Sequence, residues 1–143
     1  DASVWDLWEQ LPETGERLII TSSRKDALSV WENTGIPSCS LQAEGYRPKP
    51  HVMQQLKDRF KRIYILYDND FKSDINYGRL HGEELAREYD LTQIEIPEEY
   101  GSKDPSDLCD NYNRETEKEV ILSLVNEKEK QEKQKETFNT LIN

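Results

Sequence analysis

The sequence is poor in the residues that extracellular, membrane and zinc proteins depend on. Its 143 residues include two cysteines, Cys39 and Cys109. Their wide separation in a polar chain gives neither a disulfide framework nor zinc-ligand spacing, and predicts a reducing, cytoplasmic setting. The two histidines, His51 and His81, have no partner at metal spacing. No apolar run approaches the roughly 18–20 residues of a membrane span, and no charged-then-apolar leader opens the chain, so neither membrane insertion nor secretion is expected. The first residue is Asp1 rather than Met, which predicts a segment of something longer. Apolar residues are scarce too, 34% against 34% charged, so only part of the chain can afford a compact core and some segment must be solvated.

What the chain has in quantity is charge, 29 acidic against 19 basic residues and a net charge of -10. Global acidity argues against nucleic acid, because backbone binding needs Lys and Arg to displace counterions. The distribution is uneven. Residues 47–62 hold Arg47, Lys49, Lys57, Arg59, Lys61 and Arg62 against a single acid, Asp58. Residues 83–110 hold ten acids against Arg87 and Lys103. Either run can also be read as an ordinary solvated helix face.

Periodicity predicts a single α/β domain between two helical ends. Residues 3–11 space Val4, Trp5, Leu7, Trp8 and Leu11 as an amphipathic entry helix behind a Ser3 cap, within an N-terminal unit of residues 1–15. Short apolar or β-branched runs predict strands at 17–21, 37–41, 63–67 and 92–96; helices are predicted at about 25–33, 51–60 and 77–89. Strands alternating with helices over short connections require a parallel sheet, here of four strands flanked by helices, over residues 16–113. Helix signals resume at Pro105 and Glu115. Residues 126–137 contain no apolar side chain, although Lys128 with Glu132 and Glu129 with Lys133 sit four apart. Residues 114–143 are therefore expected to be a charged helical extension or a partly disordered tail.

Ligands bind parallel sheets at the carboxyl ends of the strands. There the sequence delivers Ser22 to Asp26, then Gln42 to Gly45, then Asp68-Asn69-Asp70, and after a loop Lys103-Asp104-Pro105-Ser106-Asp107. If the third strand persists, Asp68 and Asp70 point the same way, and two like charges so close need a cation or a raised pKa. An oxygen-only set selects Mg²⁺ or Mn²⁺ over zinc.

Leu18 to Leu28, Ser40 to Gly45, Ile63 to Asp70 and Lys103 to Leu108 together resemble the Toprim domain, the fold shared by bacterial and phage primases, topoisomerases and some nucleases. The resemblance covers about residues 16–112 and is closest to phage-type primases. It implies that Asp68 and Asp70 match the aspartate pair that holds catalytic Mg²⁺. The family's glutamate after the first strand, an acid or base in phosphoryl transfer, is absent: Glu-Gly-x-Lys-Asp reads here Ser22-Ser23-Arg24-Lys25-Asp26. A hydroxyl cannot shuttle protons as a carboxylate does. Glu44, leaving the neighbouring strand at the same edge, is the candidate substitute as metal or acid–base residue; otherwise it is a turn acid beside Gly45. Variants with a glutamate after the second strand look like a phage subgroup.

Lys25 is a candidate for phosphate or for a helix-face acid. Asp26 is a candidate nucleotide contact or a first-turn helix-dipole partner. Asp104 is a candidate for a second ion or a helix cap, and Lys103 for phosphate. Tyr46 and the 47–62 cations are candidates for the template strand, whereas Trp5, Trp8 and Trp31 are expected in the core. The resemblance implies Mg²⁺-dependent (or Mn²⁺-dependent) nucleotidyl transfer, making RNA primers on single-stranded DNA from nucleoside triphosphates. A zinc-binding or helicase module would lie outside this segment, in a phage-encoded protein of a bacterial cell. The alternatives are a Toprim nuclease and a catalytically inert Toprim-like binding module.

Overall fold

A computed structural model describes residues 4–142. Its sheet has five strands, β1 (Trp5–Asp6), β2 (Gly15–Thr21), β3 (Ser38–Leu41), β4 (Phe60–Leu66) and β5 (Thr92–Ile94). The helices are α1 (Arg24–Thr34), α2 (Pro50–Arg59), α3 (Tyr77–Tyr89), α4 (Pro105–Asn111) and α5 (Arg114–Ile142). Strand order is β1-β3-β2-β4-β5, with β3, β2, β4 and β5 mutually parallel as expected and β1 an antiparallel addition at the edge.

That addition replaces the expected entry helix. Leu7 takes a left-handed conformation, φ 68°, and only a 3-10 turn over Trp8–Gln10 follows. A helix of nine residues is marginal on its own. Pairing Trp5 with Leu41 and Asp6 with Ser40 instead covers the open edge of β3 and buries Trp5. The Ser3 cap lies outside the described residues. Of the three tryptophans, Trp5 is in the core and Trp8 and Trp31 pack against it.

Period-two alternation divides the core. Leu18, Ile20, Ile63 and Ile65 face α2 and α3, through Val52, Met53, Leu56 and Leu85. Ile19, Tyr64 and Leu66 belong to the opposite cluster, which takes Val30 from α1, Leu108 from α4, and Val120, Ile121 and Val125 from α5. Both cysteines are free thiols. No described helix is long and apolar enough to cross a membrane.

The tail is one continuous helix through residue 142, and it is not self-sufficient. Glu117 is wholly buried and accepts hydrogen bonds from Ser29 Oγ (2.7 Å) and Asn33 Nδ2 (3.0 Å) of α1. Glu129 takes both Arg17 Nε (2.8 Å) and Arg17 Nη2 (2.7 Å) and the Tyr64 hydroxyl (2.7 Å), while Glu132 meets Arg62 at 3.2 Å. The acids whose four-residue spacing suggested intrahelical pairs thus bind β2 and β4. Beyond them, residues 133–142 are exposed.

Candidate metal and nucleotide site

Strand order creates the site. From β2 the chain moves to β3 on one side, whereas β4 and β5 lie on the other, so the carboxyl ends of β2 and β4 flank a switch point where loops part. Ser22 follows β2 and Asp68 follows β4, and the Ser22 hydroxyl donates to Asp68 Oδ1 at 2.8 Å.

Two further carboxylates arrive from helix starts. Ser23 caps α1 by accepting from the Asp26 N–H (3.1 Å), and its own hydroxyl donates to Asp26 Oδ2 (3.0 Å). Asp104 caps α4, accepting from the Asp107 N–H at 2.8 Å with Pro105 in the first turn. Asp26 Oδ1 accepts from the Ser106 N–H at 3.1 Å, tying the two helix starts together. As a result Asp26, Asp68 and Asp104 each present an oxygen within 4.8 Å of the others. Burial and the nearby Asp26 charge push Asp104 up to about 7, and burial followed by Asp26 and Asp70 raises Asp68. These carboxylates resist ionising together unless a cation joins them. Oxygen-only donors of this kind fit Mg²⁺ or Mn²⁺, with Asp26, Asp68 and Asp104 as the residues that would hold it.

Glu44 stands at the edge of this cluster, half-buried after β3. Burial, then Asp68 and Asp70, push its carboxyl up to about 7. Ser22 thus binds Asp68, while Glu44, leaving the neighbouring strand, lies in the field of Asp68 and Asp70.

Asp70 is not among the three converging groups. Because β4 ends at Leu66, strand alternation does not carry Asp70 beside Asp68. Its Oδ2 accepts from the Gly78 N–H at 2.9 Å, and its own N–H donates to Asn76 Oδ1 at 2.9 Å. The first turn of α3 is pressed against this loop so closely that a Cβ at Gly78 would fall 2.1 Å from the Asp68 carbonyl oxygen. Buried Asn69, to which the sequence alone assigns no role, holds the arrangement: its N–H donates to Lys103 O (2.7 Å) and its Nδ2 to Ile96 O (2.8 Å), while Oδ1 accepts from Asn76 Nδ2 (2.8 Å).

Lys103 sits in the field of Asp68, which raises its pKa, and with Lys72, Asp70 and Asp107 it lines a 170 Å³ cleft. Lys25 lies elsewhere, in a groove between α1 and α4 with Arg24, Cys109 and Arg114. Most of the basic run is occupied within the chain. Arg47 pairs with Glu84 and Glu88, Lys57 donates to Tyr89 O (2.8 Å), and Lys61 meets Glu16 at 4.0 Å. Arg59 donates to Pro12 O (2.7 Å) and lies over the Trp8 ring, and Arg62 pairs with Glu132. Lys49 precedes the first turn of α2, and Tyr46 is exposed.

No protein-family model and no curated protein matches the chain. Among solved structures it is similar to the primase fragment of the bacteriophage T7 primase-helicase protein, with 20% identity, a TM-score of 0.53, and coverage of 82% of this chain and 46% of that one. It is also similar to a structure of bacteriophage T7 lagging-strand DNA polymerase interacting with primase domains of two gp4 subunits bound to an RNA/DNA hybrid and dTTP. There the identity is 20%, the TM-score 0.50, and the coverage 79% of this chain and 57% of that one. The chain spans about half the length of the structures it matches. At this identity the likeness establishes the fold, a Toprim-like α/β sheet of the kind found in the primase fragment.

Proposed function

We propose that this chain, sharing the fold of a phage primase fragment, is the Toprim domain of a phage-type DNA primase. It would carry out Mg²⁺-dependent nucleotidyl transfer for RNA primer synthesis on single-stranded DNA in the bacterial cytoplasm. The observation that carries this reading is the convergence of Asp26, Asp68 and Asp104 at the switch point, with Glu44 beside them. When bound there, Mg²⁺ or Mn²⁺ supplies positive charge against the phosphates of a nucleoside triphosphate and the charge that develops in phosphoryl transfer. Asp26 and Asp104, fixed by their helix caps, and Asp68, oriented by Ser22, are pre-set to hold it. Glu44, titrating near neutrality, is matched to taking the proton of an attacking hydroxyl. Asp70 adds negative potential and keeps α3 in place, and Lys103 meets phosphate from the α4 side. Lys25 takes phosphate from the α1–α4 groove. Tyr46, Lys49 and Lys61 are the accessible members of the template face, with Arg47, Lys57, Arg59 and Arg62 shaping it. Zinc-binding and helicase modules would act from outside this segment.

The presence of Ser22 where the family has glutamate favours one other reading, a catalytically inert module that docks a replication partner. Primer synthesis from labelled ribonucleotides on single-stranded DNA, run beside cleavage of the same DNA, separates primase, nuclease and inert module. With Glu44→Gln the primase reading expects a loss of about 10²-fold or more at unchanged metal affinity. Absence of Mn²⁺ binding by the intact chain overturns every catalytic reading.

A further inference from the structure

Beside the carboxylates lies a group of aromatic rings that the fold does not bury. Tyr77, the first residue of α3, is 57% exposed, and Tyr46, in the loop after β3, is 46% exposed. The Tyr77 ring stacks on His81, one turn further along α3, with centroids 6.4 Å apart and an interplanar angle of 26°. The loop closes on the same turn. A Cβ at Gly45 would come 3.6 Å from His81 Cε1, so the backbone next to Tyr46 rests against that ring. Arg47 pins the loop further by pairing with Glu84 and Glu88 of α3.

Both ends of this ledge are attached to the acidic cluster. Gly78, adjacent to Tyr77, donates to Asp70 and abuts the Asp68 carbonyl. Glu44, two residues before Tyr46, lies in the field of Asp68 and Asp70. Large aromatic side chains contribute most when buried, and these leave about half their surface in water. Their placement suits a ligand with an anionic part that a cation can hold at the carboxylates and a flat, uncharged part reaching the rings. An acidic peptide would lack the second part, and an aliphatic one the first.

We propose that Tyr46, Tyr77 and His81 form a stacking ledge for an unpaired base of single-stranded nucleic acid whose phosphate is held at the carboxylate cluster. The inference rests on the nucleic-acid reading above and adds a base-binding face to it. Stacking of this kind is indifferent to sequence, because every base has a π-face. The ledge therefore contributes affinity and positioning rather than base choice.

The test is fluorescence anisotropy of the 143-residue chain in Mn²⁺ with two labelled strands of equal length, an oligothymidylate and its abasic counterpart. The intact strand is expected to bind about tenfold more tightly. Tyr77→Ala should remove that preference while leaving the abasic affinity unchanged, and Tyr77→Phe should keep it. Equal binding of the two strands by the unaltered chain overturns the ledge and leaves the nucleic-acid reading standing. So does a Tyr77→Ala loss shared equally by both strands, or no loss at all. Failure of both strands to bind overturns the nucleic-acid reading and the ledge with it.

Discussion

Burial, Asp26 and Asp70 together oppose the charge of Asp68 more than Ser22 and Lys103 favour it, and removing that charge has a signature. In Asp68→Asn the amide still accepts from Ser22, while repulsion from Asp26, Asp70 and Glu44 is relieved. The metal-free variant should be more stable at pH 8, by about 1 kcal/mol or roughly 3 °C in Tm. It should also lose the further rise that Mg²⁺ or Mn²⁺ gives the unaltered chain. Thermal scans with and without metal read both. The pH dependence has a definite sign. Glu44 and Asp104 titrate near 7 in the folded chain and near the ordinary carboxylate range when unfolded, so between about 4.5 and 7 the folded state holds more protons. Stability of the metal-free chain should therefore fall as pH rises through that window and level off above it. Metal binding should release protons at pH 6 and almost none at pH 8, which calorimetry in buffers of different ionisation enthalpy measures. Asp68 and the acids around it were legible as residue types at strand ends. Which three converge was not, because that depends on β2 and β4 being neighbours and on two helix caps pointing inward.

Among the elements, α5 was the least legible, since its middle holds no apolar residue and periodicity has nothing to read there. What anchors it is polar. Glu117 is the deepest point, and burial raises its pKa against the bonds from Ser29 and Asn33. Glu117→Ala strands two donors and should cost about 2–3 kcal/mol in urea unfolding, whereas Glu117→Gln should cost less than half as much. Further along, the Arg17–Glu129–Tyr64 contacts are only partly buried. Arg17→Ala should leave the global transition nearly unchanged, within about 1 kcal/mol, and speed amide exchange after residue 126. The strands and α1 to α3 were readable because apolar periodicity runs through them, while the Ser23 cap of α1 emerges only in the structure. β1 was not: two residues carry no period, and Trp5 serves a helix pattern as well as a strand pairing.

At the scale of the whole molecule, the charge map changes meaning once the chain is folded. The basic run looked like a free surface for phosphates, yet five of its six cations have partners within the chain. Acid surplus, by contrast, gathers partly at the switch point, where a bound divalent ion would offset two of the negative charges. Single-stranded DNA should therefore bind with shallow salt dependence, a slope of about -2 in log K against log salt, as for three phosphates. Removing the divalent ion should weaken binding more than raising salt from 50 to 200 mM. A titration series over both variables distinguishes this from binding dominated by the 47–62 cations, which would give a slope near -4.

Gly78 has a consequence for how this sequence can drift. A methyl group there would collide with the Asp68 carbonyl, so α3 would have to lift away, taking Tyr77 and the Asp70 bond with it. Two neighbouring codons thus face opposite selection: the one for Tyr77 can wander among the aromatic residues, while the one for Gly78 has nowhere to go. In a saturation library selected for nucleic-acid binding, position 78 should return only glycine, and that invariance would owe nothing to Gly78 touching a ligand.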